Sequence, residues 1–300
     1  MSWIICGTVP DDGFPLCLGS WSLDGGTLAP VSCRTLSGQS PPPSVPVLRG
    51  TPALAAAALA ACNALGAQAP LLLLAGDRGT GSGSLALYEF LASWLPTGES
   101  ESLRGLTFHY LFPDVDGHNR ILMALDERKG DFPVLIADAG FMYAAKMSGF
   151  AARYDVFTPD GGELAFLADE KAPHPFYTRG FLLSEGKDPA ELARLAHEHE
   201  DSAKVLLVKG REDLIVENGC VTDRISQPCV PSMEAIGGTG DLVAGLLTAF
   251  ACAGMPLAAA CANAAQAARF AGRSATPSPA TPVANIIPFI PEGIKRCLHG

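Results

Sequence analysis

The sequence predicts an α/β protein, a three-layer α/β/α sandwich around a mostly parallel central sheet. Three observations predict it. Short apolar runs such as "PLLLLAG" (70–76), "FPVLIADAG" (132–140) and "AKVLLVKG" (203–210) are continuous rather than alternating, as in strands buried on both faces. They alternate with segments of helical composition, which would cover both faces of a parallel sheet. Polar residues gather just after the apolar runs, at the carboxyl ends of strands, where open α/β sheets bind ligands. Gly76 and Asp77 follow "LLLLA", Asp138 follows "VLIA", Thr158 to Glu163 follow "DVF", and Lys209 and Gly210 follow "VLLV".

Taken in order, residues 1–48 hold short apolar runs, "IICGTV", "FPLCLG" and "VSCRTL", that read as short strands ending in the spacer "SGQSPPPSVP" (37–46). They are expected to pack, as an amino-terminal segment, on an α/β domain spanning 49–300. "TPALAAAALAACNALG" (51–66) reads as a helix with Thr51 as cap and Pro52 at the first position. Strand "PLLLLAG", helix "SLALYEFLASWL" and the polar spacer "PTGESESLRG" follow, then strands "LTFHYLF", "FPVLIADAG", "YDVFTPD" and "AKVLLVKG". "DPAELARLAHEHE" has Asp188 as cap, Pro189 first and Glu191 in the reciprocal capping position. The stretch "RSATPSPATPVANIIPFIPEG" (273–293) is too rich in proline for a helix and is expected to wrap the surface.

With 300 residues and 48% hydrophobic content the chain can bury a large core. Its net charge of −10, 21 basic against 31 acidic residues, and its lack of Lys or Arg runs argue against a nucleic-acid partner. Nine cysteines form an odd set without a C-x-x-C pair, so reduced thiols and a cytoplasmic protein are expected. The start has no basic leader. Residues 244–262 are uncharged and raise the question of a membrane span. Gly254, Met255 and Pro256 split them into a buried helical hairpin instead, so no membrane partner is expected.

Several motifs fall short of the chemistry they suggest. "AGDRGTGSGS" sits between strand and helix, but Ser82 stands where a phosphate-binding P-loop needs Lys, and the glycines miss the dinucleotide spacing. The weaker expectation is that this loop, through Gly76 and Asp77, lines a site. "FPDVDGHN" offers Asp114, Asp116 and His118 but fails as a calcium loop, with Leu125 in place of the required Glu, and reads as a solvated loop. His197 and His199 lie two apart on a helix, on nearly opposite faces, and read as surface residues.

"IGGTGDLVAGLLTAF" (236–250) carries the most chemistry. Gly237, Gly238 and Gly240 leave backbone N–H groups bare at the start of a helix beginning near Asp241, an anion site for a phosphate or a developing oxyanion. Asp241 stands at its rim or merely caps the helix, and spacing alone leaves both readings open.

At "TPDGGEL", "VLLVKGREDLIV" and "GGTGDLVAGLLTAFACAGMPLAAACANAAQAARFAG" the chain resembles the ribokinase-like superfamily, from about Val134 to about Gly272. Within it the chain looks most like the ADP/ATP-dependent NAD(P)H-hydrate dehydratases and the carbohydrate kinases related to them. The resemblance implies a ribokinase-like fold and a nucleotide, ATP or ADP, bound with magnesium. Gly238, Gly240 and Asp241 match the family's anion hole and catalytic carboxylate. Thr239, Lys209, Gly210 and Asp138 fall beside the nucleotide. Glu163 is implied to act on magnesium through water, with Asp160 next to it. The departures are Asp160 where the family has His, Ile136 in the first acid position of an Asp-Ala-Asp-Ala loop, and "FPDVDG" in place of a Gly-Pro-Gly-Leu-Gly loop. The implied function is a dehydratase acting on a small-molecule substrate. The alternatives are a small-molecule or carbohydrate kinase and a nucleotide-binding sensor or subunit without turnover. A homo-oligomer is the expected assembly.

Overall fold

The computed structural model describes residues 2–36, 41–172 and 188–299. Strands β1 (Ser2–Val9), β2 (Cys17–Asp24), β3 (Thr27–Thr35) and β4 (Val45–Pro46) precede helix α1 (Thr51–Leu65). The chain then alternates through β5 (Leu71–Gly76), α2 (Ser82–Trp94), β6 (Leu103–His109), α3 (Val115–Glu127), β7 (Val134–Ala137), α4 (Gly140–Met147), β8 (Val156–Phe157) and α5 (Gly161–Ala168). Helix α6 (Pro189–Glu198), β9 (Val205–Val208), β10 (Asp213–Glu217) and β11 (Cys220–Ile225) follow, and then helices α7 (Thr239–Cys252), α8 (Leu257–Ala275) and α9 (Ile290–His299).

All eleven strands join one sheet in the order β11-β10-β9-β8-β7-β6-β1-β5-β2-β3-β4. The six strands from β5 to β9 are parallel. Antiparallel strands extend both edges. The continuous apolar runs are buried on both faces, as their composition predicts. In β5, Leu72 and Leu74 pack with the core under α1, α7 and α8, whereas Leu73 and Ala75 pack with the core under α2 to α5. In β9, Val205 and Leu207 take the first face and Leu206 and Val208 the second. The run "IICGTV" lies in β1, between β5 and β6 in the middle of the sheet. Part of the spacer, residues 37–40, lies outside the described residues; Val45 and Pro46 form β4.

Four local expectations are corrected. Gly50, at φ 71°, is the N-cap of α1, and Thr51 lies in the first turn with its hydroxyl turned to His109 instead of capping. "FPDVDGHN" is no solvated loop: the Asp114 side chain accepts from the Asp116 and Gly117 N–H groups at the start of α3, and His118 is fully buried between Tyr154 and Ser148. His199 is half-buried where α6 ends, while His197 is exposed. The proline-rich stretch does not merely wrap the surface. Arg273 to Ala275 finish α8, two short turns follow, and α9 starts at Ile290. Pro291 falls in the first turn of α9, where no N–H is needed, and Ile286, Ile287, Ile290 and Ile294 are buried in the core.

No helix among the described residues is long and apolar enough to cross a membrane, and Gly254 to Pro256 separate α7 from α8 as expected. All nine cysteines are free thiols.

Helices α1 and α7 pack face to face through small residues. A Cβ on Gly245 would sit 2.3 Å from the Leu54 carbonyl oxygen and 2.8 Å from the Ala57 Cβ, so only glycine permits this approach. Gly245→Ala is expected to force the helices apart at a cost of roughly 1–3 kcal/mol, the range for overpacking a core. Thermal or urea unfolding measures it, and an unchanged stability would refute this account of the helix pair.

Candidate active site

Four neighbouring parallel strands deliver polar groups to one edge of the sheet. β6 ends at His109, Asp138 follows β7, Asp160 and Glu163 follow β8, and Lys209 follows β9. The amino end of α7 closes the other side. Together with Arg49 and Tyr110 these elements line a cavity of about 700 Å³, whose walls include Gly210, Arg211, Gly237 to Asp241, Met233 and Arg269.

Gly238 is the N-cap of α7 at φ 98°, a conformation that favours glycine, and a Cβ there would lie 2.9 Å from Val283. The helix begins at Thr239, so Asp241 is inside its first turn and the capping reading is corrected. Its side chain serves another element: Oδ2 accepts the Gly50 N–H at 2.5 Å, tying the amino end of α1 to that of α7. Oδ1 lies 3.1 Å from Nε2 of the buried His109. Burial alone would push the Asp241 carboxyl up. The His109 bond, the Gly50 N–H and the Lys209 ammonium outweigh it and hold the group below the ordinary Asp range. Asp241 is therefore a carboxylate at neutral pH, at the edge of a helix amino terminus whose N–H groups face the cavity.

Asp138 is buried and bound at both oxygens by Lys209 Nζ, at 2.9 and 3.2 Å. Burial opposes the charge on Lys209, but Asp138 and Glu163 more than offset it and raise its pKa. Ligand-type atoms of His109, Asp138 and Asp241 lie within 4.8 Å of one another. Lys209 supplies the positive charge this group needs. Tyr110 and Ala139, the residues just beyond His109 and Asp138, have positive φ, 52° and 53°, strain of the kind that functional sites retain.

Asp160 and Glu163 form a reciprocal cap on α5: each carboxylate accepts the other's backbone N–H at 2.8 Å. Burial first, and then the like charges of Asp138 and Asp160, push the Glu163 carboxyl up to about 8 in spite of Lys209. Carboxylates crowded in this way are suited to a hard divalent cation held by oxygen and water.

Of the expected residues, Asp241, Gly238, Gly240, Thr239, Lys209, Gly210, Asp138, Glu163 and Asp160 all line this one cavity. The Thr239 hydroxyl is turned away, towards the Met233 and Ile236 carbonyls, and leaves its N–H to the site. Gly76 and Asp77 are not among the lining residues. Asp77 instead organises the start of α2, accepting from the N–H groups of Gly79, Gly81 and Ser84. A Cβ on Gly76 would overlap the Asp11 carbonyl. Ile136, in the place of the family's first acid, is buried in β7.

Spacing did not reveal His109, Thr51, Asp213 or Arg269. His109 ends the buried stretch "LTFH" at the carboxyl end of β6, where ligands collect in open α/β sheets, and that is the signal that could have found it. Arg269 pairs with Asp213 at 2.8 Å and donates to the carbonyls of Gly210, Arg211 and Ser226, which fixes the loop behind Lys209.

A family model described as NAD(P)H-hydrate dehydratase matches residues 51–288. An uncharacterized protein of Methanocaldococcus jannaschii is 33% identical over 228 residues, which cover 76% of this chain and 92% of that protein. Among solved structures, the pyridoxal kinase of Lactobacillus plantarum aligns with TM-score 0.51 at 15% identity, over 91% of this chain and 88% of that one. The pyridoxal kinase of Staphylococcus aureus in complex with AMP-PCP and pyridoxal aligns with TM-score 0.50 at 13% identity, over 90% and 88%. These structures share the fold. On the extent of the family match, and with this sheet and site geometry, the chain belongs to the NAD(P)H-hydrate dehydratase family of the ribokinase-like superfamily.

Proposed function

We propose that this protein is a nucleotide-dependent enzyme that binds ATP or ADP with magnesium in the cavity and acts on a small molecule through Asp241. The observation that carries the proposal is the Asp241 carboxylate, held ionised beside the glycine turn of α7 and opposite Lys209. The nucleotide fits on chemical grounds. Bare N–H groups of Gly238 to Asp241 suit phosphate oxygens, and Lys209 lies beside Gly240 to meet their charge.

In this reading Asp241 takes the proton from a substrate hydroxyl, and the oxygen attacks the terminal phosphorus as its bond to the rest of the nucleotide breaks, releasing ADP from ATP or AMP from ADP. The α7 amides and Lys209 stabilise the charge on the transferring group. Glu163 and Asp160 would hold magnesium, which when bound would neutralise phosphate charge. Family membership favours the dehydratase outcome, in which the phosphorylated hydroxyl of a hydrated nicotinamide leaves as inorganic phosphate while the adjacent ring carbon gives up a proton, and that C–H electron pair re-forms the ring double bond. A small-molecule kinase would stop at the first transfer. The two share every protein group named here. Phosphate release with hydrated NADH or NADPH as substrate tests the dehydratase outcome; a phosphorylated acceptor accumulating without elimination would favour the kinase.

ATP or ADP with magnesium is expected to raise the melting temperature, by the equivalent of about 2.7 kcal/mol at a hundred times Kd. Absence of any shift at millimolar nucleotide would defeat the nucleotide reading. Asp241→Asn keeps one of the two acceptors met by Gly50 and His109 and is expected to cost about 1–3 kcal/mol of stability. It should lower turnover by about 10²- to 10⁴-fold while nucleotide binding persists. Full activity in that variant would remove Asp241 from the chemistry.

Glu163 gives a pH-dependent expectation. Its folded-state pKa is raised, so its contribution to stability is complete below the ordinary Glu value and is lost as pH rises towards about 8. Glu163→Gln removes that loss, so the variant should melt increasingly above the wild type from pH 5 to 8. Magnesium with nucleotide should reverse the order, because the cation favours the ionised form. Identical pH profiles of melting for the two proteins would contradict the raised pKa.

A further inference from the structure

We propose that His109 is a positioning residue for Asp241: held in place by Thr51, it fixes the orientation of the carboxylate for proton abstraction. The proposal rests on the reading of Asp241 as the reacting base.

The His109 ring is fully buried at the end of β6, and both of its nitrogens are engaged. Nε2 lies 3.1 Å from Asp241 Oδ1 and 3.8 Å from Asp138 Oδ2. A bare nitrogen lone pair facing two carboxylates would be repelled by both, so Nε2 carries the hydrogen and donates it to Asp241. Nδ1 lies 3.0 Å from Thr51 Oγ1, and the edge of the ring rests against Tyr110 with centroids 4.5 Å apart. The imidazole therefore cannot turn without breaking a bond at one end or the other. This is the arrangement by which a second group fixes the tautomer and direction of a histidine.

The consequence falls on Asp241. Its carboxylate receives one donor on each oxygen, His109 Nε2 on Oδ1 and Gly50 N–H on Oδ2, so rotation about its terminal bond is blocked from both sides. The lone pairs these donors leave free are the ones available to a hydroxyl in the cavity. The proton removed from the substrate stays on Asp241; His109 remains a donor throughout and takes no proton itself. Pre-set geometry of this kind matters because misplacing a reacting group by about 1 Å can cost on the order of 10²-fold in rate.

The plain alternative is a core histidine that happens to be satisfied. An apolar side chain would fill the same volume without placing an imidazole against two carboxylates and desolvating it. Asp241 is faced by His109 and Tyr110 from the end of β6, by Asp138 after β7, by Lys209 after β9, and by Gly50 with Arg49 at the start of α1. Among these, His109 and Gly50 are the groups that hydrogen-bond to its carboxylate.

The test compares His109→Leu, which removes the donor, with His109→Gln, whose amide can restore an N–H within similar reach. In the full-length protein, His109→Leu is expected to lower kcat about 10²-fold with nucleotide Kd unchanged within threefold. It should also move the acid limb of the kcat profile to higher pH. His109→Gln should recover most of both effects. A folded leucine variant with wild-type kcat and pH profile, or a glutamine variant no better than leucine, overturns the proposal. A second measurement is independent of turnover: the carbon-13 resonance of the Asp241 carboxyl, assigned by its loss in Asp241→Asn, titrated in each protein. Its midpoint should rise in His109→Leu and return towards the wild type in His109→Gln. If no acceptor is ever turned over but the midpoint moves in this way, the enzymatic reading fails and the His109 contact stands. An unmoved midpoint overturns the contact whatever the activity. Should the leucine variant not fold, Thr51→Val, which frees the ring at Nδ1, takes its place with the same expectations at smaller amplitude.

Discussion

The close approach of α1 and α7 is the constraint on which the rest of this molecule depends. Alanines in α1 and Gly245 in α7 let the two backbones meet where larger side chains would hold them apart. Because both helices start at the carboxyl edge of the sheet, their contact brings two amino ends side by side. Asp241 then reaches from one to the Gly50 N–H of the other. A hydroxyl network ties α7 to the sheet beneath it: Trp3 Nε1 of β1 donates to Thr107 of β6 at 2.9 Å, and Thr107 meets Thr248 of α7 at 3.0 Å. The position of the carboxylate is thus fixed by helix packing and hydrogen bonding rather than left to a loop.

Charge is arranged with the same economy. The chain is acidic overall, yet its cavity gathers Asp138, Asp160, Glu163 and Asp241 around one ammonium. Lys209 is shared, closest to Asp138 and felt by Glu163 and Asp241. These carboxylates consequently settle in different states. Asp241, with two hydrogen-bond donors, stays ionised, while Glu163, with a buried like-charge neighbourhood, holds its proton to higher pH. Two carboxylates that line one cavity are thus driven in opposite directions by their immediate neighbours.

Much of this was legible in the sequence. The continuous apolar strands, the helical hairpin broken at Gly254 to Pro256 and the convergence of Asp138, Glu163, Lys209 and the α7 glycines follow from periodicity, turn chemistry and family motifs. What escaped was long-range. Spacing left Asp241 open between a cap for its own helix and a site residue, because local sequence cannot show that Gly50, 191 residues earlier, stands opposite it. Asp77 looked like a residue lining the site because a strand-end acid does not show that nearby N–H groups consume its oxygens. The proline-rich stretch near 290 looked irregular because proline count outweighed proline position, and Pro291 sits where a helix tolerates it.

The hydrogen bonds of Asp241 also bear on synthesis. They join residues separated by 191 and 132 positions, and the sheet needs β1 between β5 and β6 before its centre exists. Contacts of such sequence separation carry a high loop-closure cost, so folds dominated by them form slowly. On the ribosome, α1 and His109 emerge long before α7, and for that interval a buried imidazole, an uncapped helix end and an alanine-rich face have no counterpart. The nascent chain therefore exposes apolar surface until α7, residues 239–252 of 300, has been made and docks.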